Sequence, residues 1–165
     1  MADTNPALDT PTDLQRNDTR SVADALNAAL ADSYALYLKT KNFHWHVSGP
    51  HFRDYHLLLD DQAAQILGAT DAIAERVRKT GNTTLRSIGD IARHQSIRDN
   101  DADFVAPEQM LTELRDDNLT LVQRFREVKD AAEAAKDNAT SGIVDDWTDE
   151  AEERAWFLFE ASRNA

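Results

Sequence analysis

Only five glycines and four prolines punctuate the 165 residues, and two of the prolines, Pro6 and Pro11, fall at the start. A chain so short of breakers has room for long helices and lacks the turn residues that many short strands need. Its apolar residues recur in steps of three and four, the period of a helix face. Val22, Leu26, Ala29, Leu30, Ser33, Tyr37 and Leu38 predict a first helix from near Ser21, with Asp24 completing an approximate capping box. That pattern runs through His44 to Val47 and stops at Gly49-Pro50. Phe52, Tyr55, Leu59, Ile66, Ile73 and Val77 predict a second helix, from near His51 to just before Gly81. Pro107 suits the first position of a third helix. There Leu111, Leu114, Leu121, Phe125, Val128, Ala132 and Ala135 form a seam that Asn118 alone interrupts. A last helix from near Thr140 carries Ile143, Val144, Trp147, Ala151, Ala155, Leu158 and Phe159.

Four long amphipathic segments without a strand signal predict an all-α protein, a four-helix bundle. Residues 82–106 make the second connection long, and Ile88 to His94 predict a short extra helix within it. A long crossover of this kind belongs to the ferritin-like arrangement rather than to a simple up-down bundle. Residues 1–20 are polar and aperiodic and read as a flexible tail, leaving 21–165 for the bundle. No cysteine is present, which excludes disulfide frameworks, thiolate metal sites and thiol catalysis. Thirty acids against 18 bases give a net charge of -12, which suits a protein that handles cations and disfavours nucleic acid. No run of 18 apolar residues predicts a membrane span. The opening Met1-Ala2-Asp3-Thr4-Asn5 lacks the basic and apolar regions of a signal peptide, so a cytoplasmic location is expected.

Four of the five histidines, His44, His46, His51 and His56, fall within 13 positions, and acids follow on the second helix. Imidazole with carboxylate is a ligand set for iron, manganese or zinc. His56 and Asp60 are four residues apart and share a helix face, as do Asp71 and Glu75. At roughly 100° per residue all four fall within an arc of about 100°, turned about 125° away from the apolar stripe. Asp60 and Asp71 stand roughly 16 Å apart along the axis, too far for one metal centre on one chain. An antiparallel twofold contact between second helices would bring His56 and Asp60 of one chain against Asp71 and Glu75 of another. Acidic stripes on helices are more often merely solvated, so periodicity leaves both readings open. One alternative falls away: the Glu-x-x-His motif of di-iron bundles that bind metal in their own core does not occur.

The stretch Lys41-Asn42-Phe43-His44-Trp45-His46-Val47-Ser48-Gly49-Pro50-His51-Phe52-Arg53-Asp54-Tyr55-His56 resembles the signature of the Dps family, the mini-ferritins. Asp60 follows four residues on, and then Asp71-Ala72-Ile73-Ala74-Glu75-Arg76; the match covers roughly residues 41–76, and Trp156 agrees further along. The resemblance implies a hollow homododecamer with an iron-oxidising site at each dimer interface, two irons per site. It assigns His44 and His56 to one chain and Asp60, Asp71 and Glu75 to its partner, with Asp60 close to both shells. The implied activity is oxidation of Fe(II), with hydrogen peroxide favoured over oxygen, and storage of ferric oxyhydroxide in the cavity, protecting the cell against oxidative damage. Trp45 is expected to pack, ahead of a role as a sink for oxidising equivalents, and His46 and His51 are not ligand positions.

Two positions depart from the family pattern. Leu57 stands where many relatives carry an acid that aids nucleation, so Asp61 is a substitute. Thr140-Ser141-Gly142 lacks an acid often found near the threefold pore, and Asp137, Asp145 and Asp146 are the nearby replacements. The competing readings are a DNA-compacting protein and a bundle that has lost activity. Residues 1–20 hold Asp3, Asp9, Asp13 and Asp18 against Arg16 and Arg20, without lysine, and the end Glu160 to Ala165 holds one base. DNA binding is therefore expected to be weak or absent, since phosphate neutralisation needs clustered basic residues.

Overall fold

The computed structural model describes residues 5–163. Five helices follow in order: α1 (Arg16–His46), α2 (Phe52–Lys79), α3 (Ile88–His94), α4 (Pro107–Ala134) and α5 (Asn138–Ser162). One further 3-10 turn covers Pro6–Leu8. The short α1–α2 and α4–α5 connections make antiparallel hairpins, and α1 packs on α4 while α2 meets α5. The connection between α2 and α4 crosses over and lays α3 against α1. The chain is thus all-α, with the four-helix bundle and extra helix that the periodicity predicts. Among the described residues no helix is long and apolar enough to cross a membrane. The residues Met1 to Thr4, on which the absence of a leader was argued, lie outside the described part, as do Asn164 and Ala165.

The core takes large apolar residues from every long helix. Leu26, Leu30, Leu36 and Phe43 of α1 meet Leu59, Ile66 and Ile73 of α2, Leu111, Leu114 and Leu121 of α4, and Leu158 of α5, all fully buried. Each such side chain contributes about 1.5–3 kcal/mol relative to exposure. Two boundaries differ from expectation. α1 begins five positions before Ser21, because Thr19 is buried and its hydroxyl donates to the Arg16 carbonyl. Gln15 is its N-cap without a side-chain bond, so the capping box expected at Ser21 and Asp24 does not form. α5 begins at Asn138, where the Asp137 carboxylate accepts from the Thr140 amide at 3.0 Å. Residues 16–20 therefore belong to the bundle, and the segment before them is held at Leu8 and Thr10 by the Arg78 guanidinium.

The crossover is fastened by polar side chains spaced along α1. Asn27 donates to the Thr83 carbonyl, and Asn42 to that of Asn100. Asp32, fully buried, accepts from the Ser96 and Ile97 amides at 2.5 and 2.9 Å and from Arg124 at 3.2 Å. Lys39 donates to the Arg98 carbonyl and to Asp117, both at 2.8 Å, and pairs with Glu113. Burial pushes the Asp117 carboxyl up, with the Lys39 bond opposing it. This network buries Lys39, while Leu38, counted in the apolar stripe, is 58% exposed.

Candidate metal site on the α1–α2 hairpin

α1 stops at Val47, whose amide closes the last turn on Phe43. Gly49 then takes φ +103°, a left-handed conformation that side-chain-bearing residues rarely adopt, and the chain reverses into α2. This reversal sets the last turn of α1 beside the first turns of α2. His44 and His56 stack there with ring centroids 3.8 Å apart. Phe52 covers the other side of His56 at 5.0 Å.

The two histidines lock each other. His44 Nδ1 lies 2.7 Å from the His56 carbonyl, and His56 Nδ1 lies 2.9 Å from the His44 carbonyl. A carbonyl oxygen only accepts, so each Nδ1 carries the hydrogen. The lone pair of each neutral ring is left on Nε2, which is the arrangement a metal-binding imidazole needs. His44 Nε2 is 3.9 Å from Asp60 Oδ1. Within one chain, therefore, His44, His56 and Asp60 form a cluster, with Asp60 54% exposed at its rim.

Lys41, one turn before His44, completes this cluster. Its ammonium bonds the same Asp60 Oδ1 at 2.7 Å and lies 5.9 Å from the Trp45 ring centre. That hydrogen bond and the Lys41 charge hold the Asp60 carboxyl below the usual carboxylate range despite some desolvation. The sequence offered Lys41 as part of a motif without a role. The available signal was spacing: positions 41 and 44 are three apart on one helix face.

Asp71 and Glu75 are on the same outward side of α2 but roughly 16 Å further along its axis. Glu75 is engaged with Lys79 at 3.1 Å. Between the two groups the outward face presents Ala64 and Gly68, with Leu57 and Leu67 exposed beside them. Among the described residues of a single chain, no three of the histidines and acids converge closely enough to hold a metal ion. Of the other residues singled out, Trp45 is 57% exposed and does not pack into the bundle core. His46 is bonded through Nδ1 to Asn42. His51 is exposed and tilts against Tyr55. Asp61 and Asp146 are exposed, and Asp145 pairs with Lys129. Asp137 is not a free acid: buried, it caps α5 and pairs with Arg76 at 3.1 Å. Burial works against its charge, but bonds from Thr140 and Arg76 prevail and hold the carboxyl low.

Residues 23–163 match the family model described as a ferritin-like domain. The DNA protection during starvation protein of Brevibacillus brevis is 31% identical over 137 residues, 83% of this chain and 91% of that one. A low temperature-induced protein of Nostoc sp. is 34% identical over 148 residues, 89% of this chain and 81% of its own length. The crystal structure of an archaeal Dps homologue from Halobacterium salinarum superposes with a TM-score of 0.90 at 27% identity, covering 99% of this chain and 93% of that one. The chain belongs to the Dps family of ferritin-like proteins.

Proposed function

We propose that this chain is an iron-oxidising and iron-storing mini-ferritin whose site is shared between two copies. The mutual locking of His44 and His56 is the observation that carries this. It leaves both Nε2 lone pairs unused, that of His44 lying 3.9 Å from the Asp60 carboxylate, and Asp60 faces away from the bundle core. Asp71 and Glu75 supply the missing carboxylates when a second α2 crosses in antiparallel, because the midpoint between Asp60 and Asp71 is also that between His56 and Glu75. Ala64 and Gly68 near this midpoint let the helices approach closely.

Fe(II) is the substrate. Imidazoles and few carboxylates bind it modestly, which suits a site that passes iron onward. Fe(II) displaces the Lys41 ammonium from Asp60, one cation replacing another. Two Fe(II) with one hydrogen peroxide and two protons give two Fe(III) and two water molecules, so both electrons reach a single peroxide and no radical is released. The ferric product is stored as oxyhydroxide inside a homododecamer in the cytoplasm, and the acidic chain favours cation entry. The second reading, DNA compaction, is disfavoured by the acidic, lysine-free N-terminal segment.

The test is Fe(II) addition with peroxide to the purified protein, with size determined by light scattering and mineral by electron microscopy. Filled shells of dodecamer size support the proposal. A monomer under native conditions, or oxidation unchanged by His56→Ala with Asp60→Ala in a correctly folded protein, refutes it. A plasmid gel shift at low salt separates the second reading, and retention of DNA would favour it.

A further inference from the structure

The bundle interior contains one polar layer that the α1–α2 hairpin does not use, and it draws on facing helices. Arg154 of α5 is 4% exposed. Its Nε donates to Asn118 Oδ1 of α4 at 2.8 Å and its guanidinium to Gln65 Oε1 of α2 at 2.7 Å. Both partners are neutral amides, and among the described residues Arg154 forms no ion pair. Gln62 of α2, also buried, spends its amide hydrogen on the Arg154 carbonyl, and its Oε1 has no partner. Glu150, one turn before Arg154, is partly buried; burial pushes its carboxyl up and the Arg154 charge opposes the shift. Burial in turn pushes the guanidinium down to about 10. Beside Glu150 and Arg154 the void left, lined otherwise by Ser33 and by apolar groups such as Ile66, Leu121 and Phe125, measures about 10 Å³, room for no more than a single water.

The layer is therefore rich in acceptors: three amide oxygens, one of them orphaned, and one carboxylate. Oxygen donors on facing helices are what bundles use to hold metal ions in their cores. Here the chain's own guanidinium stands among them. We propose that Arg154 is a built-in cation that keeps divalent metals out of the bundle interior, so that iron is not sequestered where no cavity can receive it. A buried charge hydrogen-bonded to neutral amides alone is costly to a fold, and exclusion of a competing cation gives it a purpose.

The experiment counts Mn(II) bound per chain by equilibrium dialysis and electron paramagnetic resonance, at millimolar metal, in the wild-type assembly and in variants. Arg154→Ala opens the space and removes the charge; it is expected to bind one more Mn(II) per chain than wild type. Adding Glu150→Gln should abolish that extra ion, and Arg154→Lys, which keeps the charge, should show none. The count is a difference between proteins that share every residue of the His44–Asp60 cluster, so it does not depend on what that cluster binds. A folded Arg154→Ala protein with no extra ion overturns the proposal, as does an Arg154→Lys protein that gains one. Should Arg154→Ala fail to fold alone, it is refolded with and without Mn(II). Recovery only with metal supports the assignment, and failure in both overturns it.

Discussion

The two sides of α2 make opposite demands on the rest of the protein. Inward, Leu59, Ala63, Ile66, Ile73 and Val77 are buried against the other helices of the same chain. Outward, Asp60, Asp71 and Glu75 are exposed, and the two proposed ligand groups they belong to stand roughly 16 Å apart on one helix. The inner side is complete in one copy, whereas the proposed outer site needs a second. Stability and chemistry therefore separate on one helix, and substitutions on the two sides should fail in different ways.

The largest effect is expected on the inner side. Leu59→Ala should cost about 2–5 kcal/mol by leaving a cavity, read as a lower midpoint in urea unfolding at fixed protein concentration. Asp32→Ala, which strands the Ser96 and Ile97 amides and Arg124, should cost roughly 2–3 kcal/mol. Its distinguishing readout is faster amide exchange in residues 95–98 than in the core helices. On the outer side the order reverses. His56→Ala or Asp60→Ala should slow peroxide-dependent Fe(II) oxidation about tenfold, roughly 1.4 kcal/mol of barrier, while in Asp60→Ala the unfolding midpoint barely moves. A large loss of stability in Asp60→Ala would show that the two sides are not independent.

The smallest effect sharpens the comparison within the cluster. Lys41→Met removes the cation that competes for Asp60, so Fe(II) should bind a few-fold more tightly near neutral pH. The same change lets the Asp60 carboxyl rise toward its ordinary range, since Lys41 is the first cause of its depression. A depressed carboxyl stays charged above its folded value and is lost as pH falls through it. The acid limb of the rate profile should accordingly move to higher pH in Lys41→Met. Identical acid limbs in the two proteins would exclude Lys41 from that role.

The helices were legible because apolar residues recur at helical spacing over long stretches without breakers, and Ile88 to His94 emerged with its ends in place. What stayed hidden involves partners distant in sequence. Asn118 reads as a flaw in the third helix until Arg154, 36 residues on, is seen to use its oxygen. Lys39 carries no apolar signal, yet Glu113 and Asp117 meet it across the bundle and it is buried. Apolar spacing alone starts α1 late, because Thr19 is buried yet carries no apolar signal. At the candidate site the residue types and their face were readable from spacing. The hydrogen positions on His44 and His56 were not, since they depend on two carbonyls brought close by the hairpin.

The fastening of the crossover to α1 bears on how copies of this chain come together. Asn27, Asp32, Lys39 and Asn42 already hold the long connection in a lone subunit. Copies then meet as finished parts, and little conformational freedom remains to be surrendered on contact. Association should follow subunit concentration and ionic strength, with no slow ordering phase of its own. The proposed assembly, built from such parts, should come apart on a change of solvent and rebuild without subunit unfolding.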